Sequence, residues 1–403
     1  MNYREALAWL YSTQRHGIKL GLENIRRLMG GLQLSFPLKV IHVAGTNGKG
    51  SVCAMADAIC RAAGYRAGLF TSPHLITFRE RIRVGGEMIE EDEVARGLTE
   101  IRDRISSWDP HPTFFEIATA LALQHFDKTD CEILVLETGM GGRLDATNAV
   151  PSSVSVITPI DFDHEKWLGH SIPEIATEKA GIIKRHIPVV SAPQTKEAEL
   201  VIRKRATECD AELEFVNELW TKTGVGLRGE HQKMNAAVAV AALRAGRISL
   251  PETALAEGLA KIEWPARFQI WDEQIVIDGA HNPAGARTLV QTWRDVFGAE
   301  GVTIIFAVLR DKRVSEIIDA LRPIASRFLL PHIRSERAES PANLAELMPQ
   351  RHLEHQQFAS VADAISAARK FPDRILITGS LHFAGETLAV LRGEPNALEE
   401  CAQ

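Results

Sequence analysis

Gly45-Thr-Asn-Gly-Lys-Gly-Ser51 holds, in close order, the residue types that a polyphosphate needs. Glycines let a backbone wrap an anion, the free N–H groups of a helix start point at it, and a lysine adds a point charge. In this reading Lys49 reaches the outer phosphates and Ser51 offers a hydroxyl to Mg2+. The strict pattern G-x-x-x-x-G-K-[ST] is not met, because Val43 stands where the first glycine belongs and Gly50 separates Lys49 from Ser51. An ordinary strand-to-helix turn gives no reason for a lysine inside a glycine triplet. The stretch reads as a nucleotide site.

Other residues could complete such a site. Cys131-Glu-Ile-Leu-Val-Leu-Glu137 is an apolar strand ending in an acid, with glycines at 139, 141 and 142. An acid at the carboxyl end of a strand beside the phosphate-loop strand is where nucleotide Mg2+ is held. Asp163-His164 follows the strand 154–158, which makes His164 a candidate metal ligand. Lys179 lies next to Ala180, Ile182 and Ile183, where a bare ammonium is costly to bury, although it could also serve the helix C-terminal dipole. Phe78-Arg-Glu-Arg-Ile-Arg83 groups three arginines just beyond a short strand, a place that favours anion binding over a solvated face. Glu116, inside an apolar helix pattern, reads first as a capping or core-paired acid.

These groups need a scaffold that brings strand ends together. Residues 38–44 have strand length, and Val52, Met55, Ala56, Ile59, Cys60 and Ala63 share one helix face before the stop at Gly64. Residues 1–35 read as helices around a glycine-rich loop at 17–22. Residues 90–108 form an amphipathic surface helix, and a helix runs from 112 to 126. Strands at 67–71, 131–137, 154–158, 188–192 and 214–216 precede or alternate with helices at 172–183, 197–207, 231–242 and 251–262. Glu263-Trp-Pro-Ala-Arg-Phe268 breaks the alternation and places a domain boundary, giving 1–264 and 265–403. Beyond it, strands at 275–277, 302–308, 327–330 and 375–378 alternate with helices. Asp278, His281, Asp311, Lys312 and Ser380 fall at their carboxyl ends. The prediction is an α/β protein with parallel sheets.

A chain of 403 residues exceeds one ordinary core, and a net charge of -6 argues against nucleic-acid and membrane-surface roles. The five cysteines (Cys53, Cys60, Cys131, Cys209 and Cys401) lack C-x-x-C spacing and read as reduced thiols. Met1-Asn-Tyr-Arg-Glu opens no signal peptide, and no apolar run reaches membrane-spanning length. A cytoplasmic monomer is expected.

Gly45-Thr-Asn-Gly-Lys-Gly-Ser51, Thr71-Ser-Pro-His74, Leu136-Glu-Thr-Gly-Met-Gly-Gly-Arg-Leu-Asp-Ala-Thr-Asn148, Asp163-His164, Glu178-Lys-Ala-Gly181 and Asp278-Gly-Ala-His-Asn282 together resemble the dihydrofolate synthase/folylpolyglutamate synthase family of the Mur ligase superfamily. The likeness runs from Gly17-Ile-Lys-Leu-Gly21 to Gly379-Ser-Leu381, and the Gly-Lys-Gly-Ser form of the loop is that family's own variant. It implies a P-loop-containing Mur-ligase-type ATP-binding domain plus a smaller Rossmann-like α/β C-terminal domain. It also implies that ATP phosphorylates a substrate carboxylate, after which the amino group of L-glutamate attacks the acyl phosphate.

By the same resemblance, Asn47, Gly48, Lys49, Gly50 and Ser51 cradle the phosphates, while Ser51, Ser72, Glu137 and His164 hold two Mg2+ ions. Lys49, Glu137, His164 and a carbamylated Lys179 form the catalytic set. Asn235, Arg267 and Asp278 match adenine, phosphate and ribose contacts. Arg81, His281 and Ser380 match positions that hold the incoming glutamate. Thr113, Phe115 and Asp145 match pteroate-binding positions, and Glu116, Leu144 and Ala146 complete that candidate set, so dihydropteroate and reduced folates are both expected substrates. Asp311-Lys312-Arg313 departs from the family, which usually carries a second aspartate there.

Two other readings share part of this pattern. A Mur-type ligase acting on a UDP-linked peptidoglycan precursor would need a further N-terminal domain, whereas the phosphate-loop strand already starts near Leu38. A nucleotide-driven regulatory switch leaves Arg81, His281 and Ser380 without a role.

Overall fold

The computed structural model describes residues 1–17, 21–37, 39–348 and 354–400. Part of the expected loop at 17–22, the strand start at Leu38, and Cys401 lie outside the described residues.

The apolar run before the phosphate loop forms β1 (Lys39–Ala44), buried from Val40 onward. Around it assemble β2 (Ala67–Phe70), β3 (Ile82–Val84), β4 (Glu87–Met88), β5 (Ile133–Glu137), β6 (Val154–Ile157), β7 (Val189–Ser191) and β8 (Leu213–Phe215). Among the described residues this sheet runs β4-β3-β2-β5-β1-β6-β7-β8, parallel except for the β2-β3-β4 edge. Helices Tyr3–Ser12, Glu23–Gly31, Glu91–Ile105 and Phe114–Lys128 bury Leu10, Ile25, Leu98 and Ile117 on one side. Helices Lys49–Ala62, Glu230–Ala245 and Glu252–Ala260 bury Met55, Ile59, Leu243 and Leu259 in a separate core. Each such side chain removed from water contributes about 1.5–3 kcal/mol.

A second sheet combines β9 (Gln269–Ile270), β10 (Ile275–Ile277), β11 (Val302–Phe306), β12 (Ala325–Pro331), β13 (Glu354–Phe358) and β14 (Arg374–Thr378). Its order is β13-β12-β11-β14-β10-β9, with only β9 antiparallel among the described strands. One of its cores holds Trp293, Phe306 and Phe328, and the other holds Ile277, Ile305, Ile377 and Phe383.

Strand order decides where the chemistry goes. The chain leaves β1 towards β2, and β5 and β6 later return to flank β1 on its two sides. The carboxyl ends of β5, β1 and β6 therefore lie side by side, which brings Glu137, the phosphate loop and 158–164 together. In the second sheet β11, β14 and β10 are neighbours and present Lys312, Ser380 and 278–282 in the same way.

The short edges escaped the sequence reading. β13 is Glu-His-Gln-Gln-Phe, mostly exposed, with no apolar alternation to announce it. β3 and β4 are a hairpin at Gly85-Gly86 in which only Ile82 is buried.

Candidate active site

Two glycines of the phosphate loop are required by geometry. Gly48, at φ +89, is left-handed and precedes the helix Lys49–Ala62; a Cβ there would lie 2.7 Å from Asn235 Oδ1. A Cβ at Gly45 would collide with the Thr158 side chain. The loop is thus closed on both sides, and Lys49, Gly50 and Ser51 occupy the first helical turn, where backbone N–H groups lack intrahelical partners.

Lys49 Nζ lies 3.4 Å from the Thr46 carbonyl and 3.9 Å from Glu137 Oε1. Glu137 Oε2 accepts from the Ser72 N–H at 3.1 Å. Burial raises the pKa of Glu137, with Lys49 the main opposing charge, so this carboxylate is under-neutralised and suited to a further cation. The Ser72 hydroxyl beside it is buried without a hydrogen-bond partner among the described residues. His164 follows β6 at φ +53, and burial lowers its pKa to about 3, leaving a neutral imidazole able to donate a nitrogen lone pair. No group of three His, Cys, Asp or Glu residues with metal-site geometry occurs among the described residues. Hydroxyl, carboxylate and neutral imidazole nevertheless suit a divalent ion whose remaining ligands are phosphate oxygens.

Lys179, in the helix Ile172–Ala180, is buried, and its Nζ donates to the Gly45 carbonyl at 2.8 Å. Burial first, and the charge of Lys49 second, lower its pKa to about 7. The helix ends at Ala180, and Gly181 follows it with an ordinary φ of -62. This glycine serves close approach, since a Cβ would lie 2.6 Å from Arg143 Cα. Gly142 likewise fits against the Glu178 and Lys179 carbonyls, each 2.9 Å from where its Cβ would stand.

Thr113, Phe115, Glu116, Leu144, Asp145, Ala146 and Arg81 line one cavity of about 550 Å3. Thr113 caps the helix Phe114–Lys128, and Glu116 Oε2 accepts from the Thr113 N–H at 2.8 Å and hydroxyl at 2.9 Å, the capping role its setting suggested. Asp145 Oδ2 accepts from the N–H groups of Gly139 at 2.9 Å and Met140 at 3.0 Å. Its Oδ1 accepts from the Thr147 N–H at 3.0 Å and hydroxyl at 2.5 Å. This acid pins its own loop. Arg81, in the single turn Phe78–Arg81, is buried, with Nε donating to His74 Nδ1 at 2.8 Å. Of the three clustered arginines it alone lines this cavity; Arg79 and Arg83 face another.

Residues 47–51, Ser72, Glu137, His164, Lys179, Asn235, Arg267, Asp278, His281 and Ser380 line a second cleft of about 390 Å3. Asn235 Nδ2 donates to Gln232 Oε1 at 3.0 Å. Half-buried Asp278 accepts from the N–H groups of Phe268 and Ala280, each at 2.8 Å, and the Arg267 charge opposes the rise in pKa that desolvation causes. Ser380 Oγ accepts from the Phe383 N–H at 3.0 Å, capping the helix Leu381–Leu391. His281 and Ser380 therefore share the cleft with the phosphate loop, and Arg81 stands in the neighbouring cavity.

Asp163 was passed over in favour of His164, yet it joins the two sheets. Its Oδ2 receives His281 Nε2 at 3.2 Å and its Oδ1 receives Lys312 Nζ at 2.5 Å. Burial would raise its pKa, but the His281 hydrogen bond and the Lys312 ammonium hold it well below the usual carboxylate range. Arg313 grips Glu165 through Nε at 2.7 Å and Nη2 at 3.1 Å, and Asn282 Nδ2 donates to Asn47 Oδ1 at 2.9 Å. The departure at Asp311-Lys312-Arg313 thus supplies contacts between the lobes. Aspartate followed by histidine beyond a strand end was the available signal. Ser72, Gly139, Met140, Asp163, His164 and Lys312 line both cavities, so the two meet along this row.

The Mur ligase middle domain model matches residues 43–191, and the Mur ligase glutamate ligase domain model matches residues 266–381. The chain is 34% identical to the dihydrofolate synthase/folylpolyglutamate synthase of Bacillus subtilis, over 95% of this chain and 98% of that one. The bifunctional folylpolyglutamate synthase/dihydrofolate synthase of Yersinia pestis, solved with AMPPNP and Mn ion, superposes with a TM-score of 0.88 at 31% identity, over 97% of this chain and 98% of that one. The Escherichia coli protein solved with DHPP and ADP gives a TM-score of 0.87 at 30% identity, over 96% of this chain and 98% of that one. Among the described residues no helix is long and apolar enough to cross a membrane.

Proposed function

Because the chain belongs to the dihydrofolate synthase/folylpolyglutamate synthase family of Mur ligases, we propose that it joins L-glutamate to dihydropteroate, and to the γ-carboxyl of reduced folates, at the expense of ATP. One observation carries this reading: the nucleotide cleft and the substrate cavity share the row from Ser72 to Lys312. A carboxylate presented from one side and a γ-phosphate from the other can meet only there. On this reading residues 1–264 hold ATP and pterin, residues 265–403 complete the glutamate side, and the protein acts as a cytoplasmic monomer.

The reaction needs alignment and charge neutralisation more than covalent help. Residues 47–51 wrap the phosphates, and Lys49 neutralises the transferring group. A carboxylate oxygen of the pterin substrate attacks the γ-phosphorus, ADP leaves, and the glutamate nitrogen then attacks the acyl carbon, loses a proton and expels phosphate. Ser51, Ser72, Glu137 and His164 would hold two divalent ions, which when bound lower the charge repulsion between phosphates and carboxylate. Asn235, Arg267 and Asp278 lie where a nucleoside and its phosphates can be held. Thr113, Phe115, Glu116, Leu144, Asp145 and Ala146 wall the pterin side. Arg81 offers a guanidinium to a glutamate carboxylate, with His281 and Ser380 facing it across the shared row.

Lys179 is suited to carbamylation. Its lowered pKa leaves much of the amine neutral near pH 7, and addition to CO2 with loss of a proton replaces a poorly placed cation by a carboxylate beside Lys49. The test of the whole reading is ADP release measured with L-glutamate and either dihydropteroate or tetrahydrofolate. Release should need glutamate and one of the two pterins; no release with the full mixture refutes the reading.

A further inference from the structure

Residues 392–400 follow the last helix of the second sheet, cross to the first lobe and end against the loop that carries Arg81. On their own lobe they are tied down by Arg334 Nη1, which donates to the Pro395 carbonyl at 2.9 Å, and by the Glu394 N–H, which donates to the Ala389 carbonyl at 2.9 Å. On the far side Glu399 makes the contact specific. Its N–H donates to the Ile76 carbonyl at 2.8 Å. Its Oε2 accepts from the Phe78 N–H at 2.6 Å and from the Thr77 hydroxyl at 3.2 Å, and its Oε1 accepts from the Tyr3 hydroxyl at 2.9 Å.

These bonds finish a loop that is otherwise capped from within. Glu80 already takes the N–H groups of Leu75 at 2.8 Å, Ile76 at 3.0 Å and Thr77 at 3.1 Å. The Phe78 N–H begins the turn Phe78–Arg81 and has no acceptor inside it, so the Glu399 carboxylate supplies one, as a charge-assisted bond. Within the loop, His74 Nδ1 accepts from Arg81 Nε at 2.8 Å. The turn that carries Arg81 thus leans on the crossing segment through Glu399.

We propose that residues 392–400, through Glu399, are a positioning element for Arg81, holding the 74–81 loop so that its guanidinium enters the substrate cavity at a fixed place. The proposal rests on the reading of Arg81 as a glutamate-side group. Glu399 does not touch the cavity that Arg81 lines, so it acts through the loop.

The test compares wild type, Glu399→Ala and Glu399→Gln by hydrogen–deuterium exchange and by steady-state ADP release. Glu399→Ala should accelerate exchange of the amides at 76–78. It should also raise the KM for glutamate about tenfold, the change expected for one lost charge-assisted bond, with the KM for ATP unchanged. Glu399→Gln, which keeps an acceptor oxygen, should recover most of the loss. Unchanged exchange at 76–78 overturns the proposal, and so does an equal rise in both KM values, the pattern of general loosening. Exchange needs no substrate. A wild type that releases no ADP therefore counts against the proposed function, and exchange alone then decides the role of Glu399.

Discussion

Lys179 Nζ donates to the Gly45 carbonyl across 2.8 Å, tying the helix Ile172–Ala180 to the first glycine of the phosphate loop. Two lysines therefore serve one loop, and the charge of Lys49 adds to burial in making that of Lys179 harder to keep. Lys49 has Glu137 nearby at 3.9 Å, whereas Lys179 has a neutral carbonyl, so Lys179 is the one whose proton is loosened.

That difference fixes a pH dependence. The folded pKa of Lys179 is about 7, below the unfolded value of about 10.4, so the folded state binds fewer protons between these limits. Stability must rise with pH across that window, and the cost of the buried ammonium is fully present below pH 7. In CO2-free buffer the Tm difference between wild type and Lys179→Met should grow in favour of wild type from pH 7 to about 9. A flat difference would remove the assignment. With 13C-bicarbonate added, a carbamate carbon signal should appear in wild type and be missing in Lys179→Met.

Lys49→Ala deletes a charge at the loop while leaving its glycine geometry intact. Turnover should fall by about 100-fold or more, the usual loss for a group that stabilises developing charge. The unfolding midpoint should hardly move, because the Lys49 side chain is not part of a packed core. Retained ligation would take the loop out of the mechanism.

Asp163 and Lys312 have side-chain exposures of only 6% and 7%, so removing either partner strands a buried charge. Lys312→Met or Asp163→Asn should each cost about 3–5 kcal/mol, and the double variant should cost less than the sum. Additive losses would show that the pair is not coupled. The folded pKa of Asp163 lies below its unfolded value of about 3.9, so the stability it adds is present above that pH and is lost as pH falls below it. Wild type should therefore lose its advantage over Asp163→Asn in acid.

Asp145→Ala releases the amides of Gly139 and Met140, which lie between the two cavities. It should lower stability by about 1–3 kcal/mol through the unsatisfied groups it leaves. It should also reduce dihydropteroate-dependent ADP release more than tetrahydrofolate-dependent release. Equal losses with both substrates would mean that the pterin does not sit against this loop.

Much of the chemistry was legible from residue order alone. A glycine-lysine turn between an apolar strand and a helix, an acid closing the next core strand, and Asp-His after a third depend on local pattern, which backbone geometry and hydrophobic burial enforce directly. The edge strand β13 was not legible, because it buries almost nothing and leaves no periodic trace. That Gly181 must be glycine for close approach to Arg143 was not legible, since a glycine needed for close approach and one that merely ends a helix look alike in a sequence.

By itself the sequence determined which polar residues stand at the carboxyl ends of strands, and that the chain is an α/β protein. Only the tertiary structure decided which ends meet. The order β5-β1-β6 sets Glu137 and His164 on either side of the phosphate loop. Asp163 contacts Lys312 although 149 residues separate them, and Glu399 reaches Phe78 across 321. Such pairings leave no periodic signal along the chain, because they are set by how whole layers pack and not by neighbouring residues.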